Sequence, residues 1–167
     1  DKELHNLNRV FQNGADTFDT VIKQIKHIQS KGYDVGAIQT TTKQSLTKAK
    51  EIIDTYVGLN QTSIFIRPLT RLGTAGRVWD SIGYTADEFL DFYSEVLDAV
   101  IAINEKGVFF KEEHATILLK RIDGQFVNYM ELRSPCGAGI GQLAYYPDGN
   151  IFTCDEGRML HEMGDSS

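Results

Sequence analysis

The sequence predicts an α/β fold: the C-terminal half of a partial (β/α) TIM-type barrel, followed by a β-hairpin that opens a second module. Three observations predict it. Helical and extended segments alternate over residues 16–121. The segment "TSIFIRP" (62–68) is a near-continuous apolar run, as a parallel strand covered on both faces should be. After about Gly124 the texture changes to short extended runs around the turn "PDGN".

Each element has a local reason. Residues 16–31 predict a helix, because Phe18, Val21, Ile22, Ile25 and Ile28 fall at helical spacing. Asp16 or Thr17 can cap it, and Gly32 supplies the left-handed residue that ends it. "DVGAIQT" (34–40) reads as a short buried strand. Residues 45–58 form a second helix with Leu46, Ala49, Ile52, Ile53, Tyr56 and Val57 inward. A loop is expected over 69–84. "TADE" (85–88) is a capping box that opens a long helix to about Lys106, with Gly107 after it. Its apolar stripe is Phe89, Phe92, Val96, Leu97, Val100 and Ile103. "VFF" (108–110) reads as a short strand and 112–121 as a further helix. In the hairpin, Pro147 suits position i+1 of a type I turn and Gly149 the left-handed residue after it.

The βα alternation implies a parallel sheet with right-handed crossovers. Two clear strands are too few for a finished domain of this type, and a TIM barrel needs roughly 250 residues. Asp1 is not an initiator methionine, and the tail "MGDSS" stops abruptly. The chain is therefore expected to be a piece of a longer protein. A boundary is placed near 124–134, giving residues 1–124 to the barrel and 125–167 to the second module.

Composition narrows the partners. The 167 residues carry a formal charge of −6, which argues against nucleic acid as the main partner, since phosphate binding needs a basic face. No apolar run approaches the ~20 residues of a membrane span. No signal-peptide pattern opens the chain. With two cysteines and no export signal, a reducing cytoplasmic setting is expected. The oligomeric state is not legible.

Both cysteines, Cys136 and Cys154, flank the hairpin in "SPCGAGIGQLAYYPDGNIFTCDEG" (134–157). From the residues alone they could be inert thiols, a disulfide or metal ligands. "LGTAG" (72–76) lacks the Lys-Ser/Thr of a phosphate loop. Arg67, Arg71 and Arg77 around it could hold an anionic group, or be solvated. The four histidines show no metal spacing. Trp79 and the Tyr145–Tyr146 pair are most simply packing residues.

Two segments add a resemblance. Cys136, twelve residues, Gly149, four residues, Cys154 resembles the opening of the SPASM module, the iron–sulfur domain attached to radical S-adenosylmethionine (SAM) enzymes that modify peptides and proteins. "KELHNLNR" (2–9) with "FDTVIKQI" (18–25) is similar to the stretch after the fourth barrel strand of that family. The resemblance covers nearly the whole chain and is greatest to anaerobic sulfatase-maturating enzymes and to the maturases of His-Xaa-Ser peptide systems.

The resemblance implies SAM and [4Fe–4S] clusters as cofactors and a peptide or protein as substrate. Arg9 then contacts bound SAM, where a guanidinium can fork onto a carboxylate. Leu69 lines the adenine site at the end of a barrel strand. Cys136 and Cys154 ligate the first auxiliary cluster. Asp155 takes a proton from the substrate during oxidation, as a general base. One departure stands out: a cubane takes about four thiolates, and the chain has two. It also lacks the Cys-x₃-Cys-x₂-Cys motif that holds the SAM cluster. Alone, the chain is expected to be inactive. The competing readings are a non-catalytic α/β binding or scaffold module and a two-cysteine zinc or redox module.

Overall fold

In chain order the helices are α1 (Lys2–Asn8), α2 (Phe18–Gln29), α3 (Ala49–Gly58), α4 (Gly73–Arg77), α5 (Trp79–Ile82), α6 (Ala86–Glu105), α7 (Glu113–Ile122) and α8 (Asp155–Glu162). The strands are β1 (Ile38–Thr40), β2 (Ser63–Arg67), β3 (Lys111–Glu112), β4 (Ala144–Tyr145) and β5 (Ile151–Phe152). This computed structural model describes residues 1–129, 132 and 136–164. It divides into two units, Asp1–Leu69 with Tyr84–His114, and Thr70–Gly83 with Ala115–Ser167.

The first unit is built on a parallel sheet in the order β1-β2-β3, with Ile38 opposite Phe65 and Ile64 opposite Glu112. Ile64 and Ile66 point to one face and are fully buried against Ile52 and Ile53 of α3 and Phe92 and Val96 of α6. Burying each such side chain stabilises by about 1.5–3 kcal/mol. On the other face Phe65 is only half-buried, stacked on His114 at 5.6 Å. The run is thus fully covered on one face, where the sequence predicts both.

The first helix differs most from expectation, since residues 1–15 predict no element. The Asp1 carboxylate accepts the Leu4 N–H at 2.8 Å and caps α1. Thr17 sits at the N-cap of α2, but its hydroxyl donates to the Arg9 carbonyl at 2.7 Å rather than accepting a helix N–H. The expected helix at 45–58 begins later, at Ala49. A 3₁₀ turn, Lys43–Ser45, precedes it, held by the Ser45 hydroxyl accepting from Thr42 N–H at 3.0 Å.

α6 matches its signals at both ends. The Thr85 hydroxyl accepts from Glu88 N–H, and the Glu88 carboxylate accepts from Thr85 N–H at 2.7 Å. Those Thr85 hydrogen bonds hold the Glu88 carboxyl below the usual carboxylate range. At the far end Gly107 N–H reaches Asn104 O and Val108 N–H reaches Ile103 O, with Gly107 at φ 82. This is a Schellman turn.

The third strand is Lys111–Glu112, not 108–110. Asn104 explains the shift. Its amide donates to Phe110 O at 2.6 Å and accepts from Phe110 N–H at 3.3 Å. The backbone of Phe110 is therefore satisfied by a side chain and not by a ladder.

In the second unit, the expected loop at 69–84 contains α4 and α5, each too short for helical periodicity to register. The hairpin has the expected turn: Gly149 N–H donates to Tyr146 O at 3.0 Å, and Gly149 lies at φ 91. β4 and β5 pair antiparallel, with Tyr145 opposite Ile151. Of the hairpin segment, Ser134 and Pro135 lie outside the described residues, as does part of the boundary at 124–134. Among the described residues no helix is long and apolar enough to cross a membrane.

Candidate functional site

Parallel strands gather chemistry at their C-terminal ends, because the loops that follow them share one edge. In the first unit that edge carries three polar features. Gln39 of β1 and, beyond that strand, Thr41, Thr42 and Ser45 are buried and bonded to one another, with the Thr41 hydroxyl donating to Gln39 Oε1 at 3.0 Å. Beyond β2, Leu69 N–H donates to the Tyr84 hydroxyl at 2.6 Å. Burial pushes the Tyr84 phenol up, and the Leu69 N–H partly opposes this. At β3, Glu112 is 2% exposed; it accepts Ile66 N–H at 2.9 Å and the Tyr93 hydroxyl at 2.5 Å. The Glu112 carboxylate thus extends the β2–β3 ladder by one acceptor.

Arg9 caps the C-terminus of α1 in extended conformation, its N–H on His5 O and its carbonyl on Thr17. Its side chain is exposed and makes no ion pair among the described residues. His5 lies nearby, bonded to Thr17 Oγ1 at 2.9 Å. Partial burial pushes His5 below its ordinary value, and the Arg9 guanidinium adds to this. Arg9 therefore offers a guanidinium free to fork onto a carboxylate. Leu69 offers its side chain and carbonyl, because its N–H is engaged by Tyr84.

The second unit holds the other three expected residues. Cys136 and Cys154 are free thiols, the first exposed and the second half-buried. Each sulfur accepts a backbone N–H at 3.4 Å, from Ala138 and from Gly157 respectively. Cys154 is the N-cap of α8. Gly139 N–H donates to Thr153 O at 2.8 Å and ties the loop after Cys136 to the strand that leads into Cys154. Among the described residues no three His, Cys, Asp or Glu side chains form a metal-binding group. Two thiols do not make the four ligands of a cubane, so these residues alone do not fit a complete cluster.

Asp155 opens the first turn of α8, where a carboxylate suits the positive end of the helix. Its Oδ1 meets Arg158 Nε at 2.9 Å and Nη2 at 2.8 Å. Asp155 is thus a helix residue whose guanidinium partner meets one of its oxygens with two nitrogens. Arg158 also reaches Glu162 at 3.1 Å, and Glu162 accepts from the Tyr146 hydroxyl, which raises the Tyr146 phenol.

No family model matches the chain, and no curated protein matches it in sequence. In fold the chain is similar to a solved structure, native anSMEcpe with bound AdoMet (S-adenosylmethionine), a radical SAM maturase, at a TM-score of 0.75 and 18% identity. The chain has a radical SAM-like fold. The match covers 93% of the chain and 41% of that protein, so the chain spans about two fifths of its neighbour's length.

Sequence reasoning missed the Glu112–Tyr93 clamp and the Arg158 partner of Asp155. The first had no signal beyond an acid just past an apolar run. The second was available as Asp and Arg three apart, but only once α8 is known to be a helix.

Proposed function

We propose that the chain is a portion of a radical SAM enzyme that oxidatively modifies a peptide or protein side chain. The observation that carries this is the likeness over 93% of the chain to an AdoMet-bound protein. The "HNLNR" stretch and the Cys-x₁₂-Gly-x₄-Cys spacing support it independently. Residues 1–124 are the second half of the radical SAM barrel and 125–167 the opening of a SPASM domain.

When bound, SAM with its reduced cluster supplies a 5′-deoxyadenosyl radical that takes a hydrogen atom from the substrate. The residues of this chain bind and move protons. Arg9 holds the methionine carboxylate, and Leu69 packs against the adenine. Asp155 accepts the proton that the substrate side chain releases on oxidation; Arg158 holds that carboxylate in place until then. Cys136 and Cys154 would give two thiolates to an auxiliary cluster completed by ligands elsewhere in a longer polypeptide, and that cluster would supply the acceptor for the electron that the substrate radical gives up with its proton.

Iron analysis tests the cluster assignment. After anaerobic reconstitution of the complete native polypeptide, the Cys136→Ala/Cys154→Ala double variant is expected to lose about four iron atoms per chain. Unchanged iron would remove both cysteines as ligands. Zinc at about half an atom per chain in the 167-residue piece would instead favour a two-cysteine zinc module shared between two chains.

A further inference from the structure

We propose that the second unit carries an anion-recognition groove for the carboxylate of an extended peptide. The groove has a volume of about 440 Å³ and is lined by Arg71, Gly73, Gly76, Arg77, Glu162 and Met163. Three features give it this chemistry.

The first is charge. Glu162 contributes the one carboxylate of the lining, and it is already engaged by Arg158 at 3.1 Å and by the Tyr146 hydroxyl. Arg71 and Arg77 are exposed and have no carboxylate partner among the described residues. In a chain of net charge −6, two guanidinium groups facing one groove leave a local cationic field for an anion. The second feature is order. Arg71 stacks over the Trp79 ring at 5.6 Å, so its guanidinium is partly oriented before a ligand arrives. The third is shape. The Met163 sulfur accepts Gly73 N–H at 3.2 Å, and the Met163 methyl lies 3.7 Å from where a Cβ on Gly76 would stand. The thioether and the two glycines make a smooth apolar floor. Such a groove is larger than a lone inorganic anion needs. It fits a carboxylate beside apolar side chains, presented either by an acidic residue or by a chain terminus.

Binding here needs no cofactor, so its failure leaves the radical chemistry untouched. Trp79 is the single tryptophan, and it reports on Arg71 directly. The 167-residue chain is titrated with three tripeptides while its tryptophan emission is followed. They are acetyl-Ala-Leu-Glu-amide, acetyl-Ala-Leu-Ala with a free C-terminus, and acetyl-Ala-Leu-Ala-amide. A saturable change is expected with one or both carboxylate peptides, and the tighter of the two identifies the source of the carboxylate. The amide control is expected to give none. Arg77→Gln is expected to weaken binding roughly tenfold, with far-UV circular dichroism unchanged. Arg121→Gln is expected to bind as wild type, and added salt to weaken binding. If Arg77→Gln alters the fold, Arg77→Lys is measured instead; it keeps the charge but not the fork, and intermediate affinity is expected. No saturation with either carboxylate, an equal response to the amide, or wild-type affinity in the folded Arg77 variant would each overturn the proposal.

Discussion

Replacing Glu112 by alanine is expected to destabilise the first unit by about 3–5 kcal/mol. Glu112 is 2% exposed and accepts from the buried Ile66 N–H and from the hydroxyl of half-buried Tyr93. Alanine takes both acceptors away, and a buried donor left without one costs about 1–3 kcal/mol. It also opens a cavity beside Ile66 and Tyr93, which adds to the loss. Two milder variants separate these contributions. Glu112→Gln keeps the shape and one acceptor oxygen, and is expected to cost about 1–2 kcal/mol. Tyr93→Phe removes one donor and leaves the Ile66 bond, with a loss of similar size. Urea unfolding of the three variants reads the order directly. An alanine variant as stable as wild type, or a glutamine variant as damaged as alanine, would mean that the clamp does not hold the sheet.

Asp155→Asn is expected to have the largest effect on chemistry. In the complete enzyme it should lower peptide oxidation by about 10²-fold or more, the usual contribution of a positioned base. Formation of 5′-deoxyadenosine should persist, because hydrogen abstraction precedes the proton transfer. The structure supplies a competing role for this residue. Asp155 is an exposed first-turn acid of α8 with Arg158 as partner, and an exposed ion pair is worth at most about 1 kcal/mol. If that role is all it has, the asparagine variant modifies peptide at the wild-type rate and only its stability moves slightly. Arg158→Gln sharpens the distinction: a base positioned by Arg158 should lose rate when that partner goes, with 5′-deoxyadenosine formation unchanged.

The parts of the fold legible in sequence are those that local chemistry decides. The Thr85–Glu88 box, the glycines at 32, 107 and 149 and the apolar stripe of α6 each act within a few residues, and the structure has them, with Leu97 alone of the stripe outside the core cluster. The errors come from longer-range partners. Asn104 takes the backbone of Phe110 and moves the third strand by three residues. Tyr84 claims the Leu69 N–H from fifteen residues away. Helix α8 carries no usual start signal, because its N-cap is Cys154, whose sulfur accepts a helix N–H where an oxygen is usual. The candidate residues were recognisable only through resemblance: an exposed arginine after a short helix and an Asp-Glu pair after a hairpin have no chemistry of their own.

The most direct test of the account is the formation of 5′-deoxyadenosine. The complete native polypeptide containing this chain is reconstituted anaerobically with iron and sulfide, then incubated with SAM and a low-potential reductant. The account predicts 5′-deoxyadenosine from the wild type and a loss of about tenfold or more in Arg9→Ala, from the missing carboxylate contact. A loaded polypeptide that forms none would contradict it.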